Sequence, residues 1–403
     1  MASLMAWLDT SAEEQRRVRD ILDIFTQTES RDELGIGQVR DAISDTLFPG
    51  TSVIQTRARY FLFVPWLYRE GARRRSGGEL KAWTDRQERQ LVEALRKAGD
   101  TEGLFGKRAG PAVKILPSSI YWSGLARYGI LQRDLAPNQL GRTDRESRVE
   151  ADELVSRQSS DWSPTLPPMP EGFPGRVDGF DLTYEEASWL KEHVLTAAEG
   201  TLLAHLLGCS LPPDRDSWAP WDDRAGRTAQ GEIAKHIQHA KLFSLGMHGA
   251  ALLYNLLVGE RYELRELTRV PHPVYTYRQR LTEWGERCQE TATQFARWDR
   301  DDFWTLVQSS NPRVRPQTRR FVDAWMEAII SGNVGSAADD AQLRHLIGNR
   351  ERMTKGAQSR LINDRLLRTW SGEAGSGALV FRWPQVRRLV TEIHEGMGRH
   401  VIP

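Results

Sequence analysis

AQGEIAKHIQHAKLFSLGMHGAALLYNLLV, residues 229–258, is the stretch that decides how this chain is built. Phe243, Met247, Ala250, Tyr254 and Leu257 recur at helical spacing, so the segment reads as the core helix of a domain. Its most apolar part, Leu242–Val258, contains His248, Asn255 and two glycines. That content suits a buried helix better than a bilayer span of about 20 residues, and no membrane segment is expected.

Outward from this helix the pattern stays helical. Upstream, a proline and tryptophan loop at Leu211–Arg227 follows a helix opened by the capping box of Thr183 and Glu186, with Leu190, Val194, Ala197 and Ala198 behind it. Downstream, helical patterns run over Tyr275–Phe295, over Pro316–Ile330 and from about Met353 to Trp370. The glycine-rich SGEAGSG, the strand-like LVFRW and a last helix opened by Pro384 follow, with Val386, Val390, Ile393 and Met397 on one face.

The first part of the chain reads the same way. Ser11 and Glu14 cap a helix carrying Val18, Ile21, Leu22 and Phe25, and a second stripe, Ile36, Val39, Ile43 and Leu47, stops at Pro49 and Gly50. Thr51 or Ser52 is expected to cap a helix with Ile54, Ala58 and Leu62 inward and Arg57 and Arg59 outward, kinked or ended near Trp66 by Pro65. Thr84 and Gln87 have the spacing of a capping box for a helix running to Gly99. Pro117–Ser119 opens a short helix with Tyr121, Leu125 and Tyr128, closed by Gly129 with Ile130 after it. The expected fold is mainly α: a helical domain over 1–135 with helix-turn-helix-like pieces, a Pro-rich connector over 136–180, and a helical domain over 181–403.

Composition removes several functions. Lys plus Arg number 55 against 54 acidic residues, a net charge of +1, so any nucleic-acid site must be regional. Only Cys209 and Cys288 are present, too few for a disulfide framework, and with no basic-then-apolar leader the expected compartment is the cytoplasm. GLFGKRAG and SGEAGSG both miss the phosphate-cradling pattern, and no strained GxSxG elbow holds a nucleophile. Asp299, Asp301 and Asp302 read as a helix N-terminal turn rather than a magnesium site. No cofactor is implied. Glu232, His236 and His239, spaced four and three apart on one helical face, are the best metal-like constellation, and on them rests the alternative of a metal-dependent hydrolase or nuclease.

The remaining signal is arginine. RVRPQTRR at 313–320 is the densest cluster, and the candidate phosphate contacts are Arg57, Arg59, Arg315, Arg319, Arg320, Arg360 and Arg365. A solvated helical face with acidic neighbours is the competing explanation of such clusters.

LGIGQVRDAISDTLFPGTSVIQTRARYFLFVPWLY at 34–68, together with KGAQSRLINDRLLRTWSGEAGSG and FRWPQV near the end, resembles a bacterial family known only as a domain of unknown function, number 6361. The resemblance implies a bacterial cytoplasmic protein with no assigned reaction, from gene clusters of the anti-phage defence type in which helicases and nucleases are neighbours. It also draws attention to Asp41, Asp45, Gln55, Thr56, Arg57 and Arg59, as a working surface or as an Arg57–Asp45 pair holding two helices. The expected role is a non-catalytic nucleic-acid-binding or scaffolding component of a defence-type assembly, with DNA or RNA and a helicase or nuclease as partners. The alternative to both nucleic-acid binding and metal chemistry is a pure protein-interaction subunit, anchored by aromatics around WSPTLPP (162–168) and SWAPW (217–221).

Overall fold

The structure, a computed structural model, describes residues 32–133, 135–140 and 161–399. The helix expected at Ser11–Phe25 lies outside the described residues. The helices are α1 (Gly37–Leu47), α2 (Tyr60–Ala72), α3 (Gly77–Ala98), α4 (Pro117–Arg127), α5 (Tyr184–Ala197), α6 (Leu202–Gly208), α7 (Arg224–Arg227) and α8 (Gly231–Leu264). They continue as α9 (Pro273–Glu290), α10 (Ala292–Ala296), α11 (Arg300–Ser310), α12 (Pro316–Ile330), α13 (Ala341–Lys355), α14 (Asp364–Arg368) and α15 (Trp383–Gly398). The protein is mainly helical, as its patterning requires. Among the described residues the only β feature outside named strands is an isolated antiparallel bridge between Leu131 and Trp162. LVFRW is not a strand: Phe381 and Arg382 turn left-handed (φ 51° and 65°) to start α15.

Two units form, each from discontinuous chain, a first of 1–46 with 235–381 and a second of 47–234 with 382–403. This differs from the sequential division expected. The described part of the supposed connector is not a spacer either, because it packs inside the second unit. There, Trp66 donates its indole N–H to the carbonyl of Pro167 (2.8 Å), and Phe173 stacks on Phe63 with centroids 5.4 Å apart.

The first unit is built on α8. Trp284 and Trp325 stack (6.0 Å, 28°), and their indole N–H groups donate to the carbonyls of Leu245 and Gly246 inside α8, both at 2.8 Å. The two glycines in the apolar stretch allow close approach of Trp284 and of Met326. A Cβ on Gly249 would sit 2.2 Å from the Trp284 ring, and one on Gly246 2.5 Å from Met326. Asn255, wholly buried, grips SGEAGSG through both amide atoms: Nδ2 donates to the Ala374 carbonyl and Oδ1 accepts from the Ala374 N–H, each at 2.9 Å. The most apolar window of α8 is long and apolar enough to cross a membrane, and 83% of that window is buried inside the protein.

In the second unit α2 is buried from Tyr60 to Tyr68 without a polar face, the pattern of an interior helix. It packs against α3 and α4, while α15 lies on α5 and α6. The expected capping box is present: Thr183 accepts from the Glu186 N–H while Glu186 accepts from that of Thr183. Gly129 also closes α4 as read, at φ 64°, with Ile130 N–H on the Leu125 carbonyl.

The helix assignments change in several places. Residues 51–59 are a polar turn rather than the first turns of α2, because Tyr121 Oη accepts from the Thr56 and Arg57 N–H groups (2.8 and 3.0 Å) and Gln55 reaches the Gly50 carbonyl. Of the two roles expected for Pro65, a kink or an end, the end does not occur: Pro65 lies inside α2, where near the N-terminus it forfeits a single backbone bond. Thr84 is mid-helix, its hydroxyl on the Leu80 carbonyl, since α3 already starts at Gly77. The pattern expected from Met353 to Trp370 breaks after Lys355, where buried Glu351 accepts from the Ser359 hydroxyl and the Arg360 N–H.

Candidate functional site

The seven candidate arginines divide into two groups. Arg57 places Nε 2.5 Å from Glu392 and Nη1 3.2 Å from Asp100, with the guanidinium over the Phe180 ring at 4.5 Å. Its partners are therefore not Asp45. Arg59, only 8% exposed, pairs with Glu186 (2.9 Å) and donates to the Gly179 carbonyl (3.0 Å). Arg360 is buried against Glu33 at 2.6 Å, with Lys355 on the other oxygen at 3.2 Å. These three turn inward, correcting the expectation of an outward face. The reason is electrostatic: each meets a carboxylate within its own unit, brought from as much as 335 residues away, and a buried charge is tolerated only when so paired. Burial pushes Glu392 up to about 7 even with Arg57 and the Ala58 N–H opposing it.

The start of α12 is different. Arg313, Arg315 and Arg320 are exposed and carry no ion pair among the described residues. Arg319 is engaged, 3.5 Å from both Asp301 and Asp323 and 5.4 Å over the Trp304 ring. Behind them Arg350 is buried, donating to the carbonyls of Leu34 (2.6 Å) and Gly35 (2.9 Å) and to Thr318 Oγ1 (2.9 Å). Burial lowers the Arg350 guanidinium from its ordinary value; Asp32 opposes this and the positive field of Arg315 adds to it. Arg315 is the N-cap residue of α12 and makes no side-chain cap, so the positive end of the helix dipole coincides with the free arginines. Arg365, on α14, is also exposed and without an ion pair among the described residues.

A cavity of about 410 Å³ lies in the first unit beside α8 and the start of α11. His239 forms its back wall. Trp298 Nε1–H donates to His239 Nδ1 at 2.8 Å, and an indole can only donate, so Nε2 carries the imidazole proton and gives it to Asp302 Oδ2, also at 2.8 Å. Lys235 sits 3.2 Å from the same oxygen, and these bonds, that from His239 first, hold the Asp302 carboxyl below its usual range. With both ring nitrogens occupied, His239 has no lone pair for a metal or a substrate. Glu232 is exposed and His236 half-buried, and no group of three His, Cys, Asp or Glu side chains among the described residues is placed to hold a metal. The metal constellation read at Glu232, His236 and His239 is thus not formed.

The acidic run behaves as read. Asp299 caps α11 by accepting from the Asp302 N–H (3.0 Å). What the spacing did not reveal is the alliance of Asp302 with His239 and Trp298, which joins residues 63 and 59 positions apart. The cavity lining holds no Ser, Thr, Cys or Tyr to act as a nucleophile, and burial pushes the Cys288 thiol up to about 12. Of the two aromatic anchors, Trp162 and Leu166 are buried, whereas Trp218 is 50% exposed, edge-on to Trp221 at 5.6 Å.

Comparison with curated proteins and with solved structures finds no match. A family match covers residues 2–396, nearly the whole chain, including the two segments whose pattern carried the resemblance and the arginines and cavity just described. The chain belongs to the family described as "Family of unknown function (DUF6361)".

Proposed function

We propose that this protein is a non-catalytic, nucleic-acid-binding or scaffolding component of a bacterial, cytoplasmic defence-type assembly, and that it holds nucleic acid by its phosphates at the start of α12. One observation carries the reading: Arg313, Arg315 and Arg320 are exposed and, among the described residues, unpaired near a helix N-terminus, in a chain whose candidate arginines at 57, 59 and 360 are spent internally. Guanidinium groups so placed neutralise phosphates without reading bases, and Arg365 adds a further open cation in the same unit. The helicase or nuclease partner and the defence setting rest on the family resemblance.

Binding of the full chain to labelled single- and double-stranded DNA and RNA across a salt series tests this. Arg315→Glu with Arg320→Glu is expected to weaken binding at least tenfold and to reduce the slope of log affinity against log salt by about one to two. Equal binding by the double variant, or none by the native chain at low salt, removes the proposal. The second reading, a protein-interaction subunit, is favoured by Trp218, which is held out on a loop braced by buried Asp223, whose Oδ2 accepts from the Asp214 N–H (2.7 Å) and Ser217 Oγ (3.0 Å). Under that reading Trp218→Ala abolishes co-purification of a protein partner and leaves nucleic-acid binding untouched.

A further inference from the structure

GLFGKRAGPAVK at 103–114, in the second unit, misses the pattern that cradles a nucleotide, and its glycines serve another end. Gly106 (φ 79°) and Gly110 (φ 59°) bracket a tight turn, closed by the Gly110 N–H on the Gly106 carbonyl at 2.7 Å, with Lys107, Arg108 and Ala109 exposed at its tip. The turn is tied to α3. Arg89 Nη1 donates to the carbonyls of Pro111 and Val113, the latter at 2.8 Å, and the Arg96 guanidinium lies over Gly110, Nη1 standing 2.6 Å from where a Cβ on that glycine would be. Lys114, also exposed, follows directly on the held Val113 carbonyl. Arg89, Arg96, Lys107, Arg108 and Lys114 are thus gathered around one loop. The carboxylates that flank it are engaged elsewhere. Glu93 pairs with Lys97 (3.3 Å), Glu102 with Arg388 (2.6 Å), and Asp100 gives one oxygen to Arg57 and the other to the Phe180 N–H. Glu88 is buried and accepts from the Ser118 N–H. From Gly103 to Arg133 the sequence holds no acidic residue. Arg96, Lys107, Arg108 and Lys114 carry no ion pair among the described residues, and setting Lys97 and Arg388 against Glu93 and Glu102 leaves the excess of cations around the loop intact.

We infer that this loop, with the adjoining face of α3, is a second phosphate-binding surface, through which the second unit contacts the sugar–phosphate backbone of a nucleic acid. The inference rests on the nucleic-acid reading proposed for the start of α12 and adds to it a surface on a different part of the chain. Charge complementarity selects the partner: open cations spread over a loop tip and a helix suit a regularly repeated negative charge better than one compact anion. An anionic membrane fits less well. The exposed residues of the loop are Lys107, Arg108, Ala109, Pro111, Ala112 and Lys114, with no large apolar side chain to enter a bilayer. Phosphate contacts of this kind hold and orient the strand without reading its sequence.

The labelled DNA and RNA of the salt series test this with changes in the full chain confined to the loop and α3. Lys107→Glu with Arg108→Glu is expected to weaken binding at least tenfold and to reduce the salt slope by about one to two, with the melting temperature unchanged because both side chains stand in water. Arg96→Gln, a milder change on the helix, should act in the same direction by a smaller factor. When the loop pair is combined with Arg315→Glu and Arg320→Glu the losses should multiply, since the two surfaces share no residue. Native-like binding by the loop pair and by Arg96→Gln, while the α12 pair loses affinity, overturns this inference and leaves the α12 reading standing. Loss in the loop variants alone supports the loop and removes α12, and failure of the native chain to bind at low salt removes both. Phosphatidylserine vesicles provide the remaining arm: if the loop pair abolishes vesicle binding and spares nucleic acid, the surface belongs to a membrane and the inference falls.

Discussion

Two arginine-rich regions of this protein look alike on paper and have opposite fates. TRAR at 56–59 and RVRPQTRR at 313–320 both carry clustered guanidinium groups. In the first, Arg57 and Arg59 vanish into ion pairs with Glu392, Asp100 and Glu186. In the second, Arg313, Arg315 and Arg320 stay in water, and only Arg319 finds carboxylates. What separates them is not local density of charge but whether the fold delivers an acidic side chain from far along the chain into the same low-dielectric spot. Arginine serves well in the first role because its planar fork satisfies a carboxylate and a carbonyl together, as Arg59 does with Glu186 and Gly179.

The sharpest way to break the comparison is to remove a buried partner. Arg360→Met leaves Glu33 buried with one cation fewer, and is expected to cost about 3–5 kcal/mol in urea unfolding. If the variant is as stable as the native chain, the inward group is not structural. A comparable effect is expected from pH. Burial raises Glu88 to about 7, with the Ser118 N–H opposing; a carboxyl whose folded value lies above its unfolded one contributes stability that is complete below about 4.5 and lost as pH climbs through about 7. Glu88→Gln should therefore flatten the stability profile between about pH 4.5 and 7 by about 3 kcal/mol, read as denaturant midpoints across that window.

The outward group should respond in the other currency. Arg315→Glu with Arg320→Glu is expected to move unfolding by no more than about 0.5 kcal/mol, while costing nucleic-acid binding at least tenfold, or about 1.4 kcal/mol. A large stability loss here would reclassify α12 with the inward set. The smallest effect belongs to Arg319, whose half-exposed pairs are screened. Arg319→Ala should lower stability by less than about 1 kcal/mol and lose that difference in high salt.

How far the sequence can be read follows the same division between near and far. The capping box at Thr183 and Glu186, the glycine stop at Gly129 and the proline start at Pro316 were all legible, because each depends on backbone groups within a few residues. The same spacing misled at Thr84, where the hydroxyl serves the preceding turn of a helix already under way. It also misled at 51–59, where the phenol of Tyr121, 65 residues away from Thr56, takes the N–H groups that a helix would have used. Of the candidate site, the exposed RVRPQTRR cluster stood out as the densest one, whereas the His239–Trp298–Asp302 chain left only the hint of a histidine on a core helix.

By itself, then, the sequence determined that this protein is mainly helical, where most of its helices lie and that its basic sites must be local, since propensity, capping and net charge are properties of neighbours and sums. Only the tertiary structure decided that the units are discontinuous, that Gly249 admits Trp284 and Gly246 admits Met326 onto α8, and which arginines face water. Those outcomes turn on pairing across tens to hundreds of residues, where the cost of burying an unpaired charge or clashing a Cβ is settled only once distant segments meet.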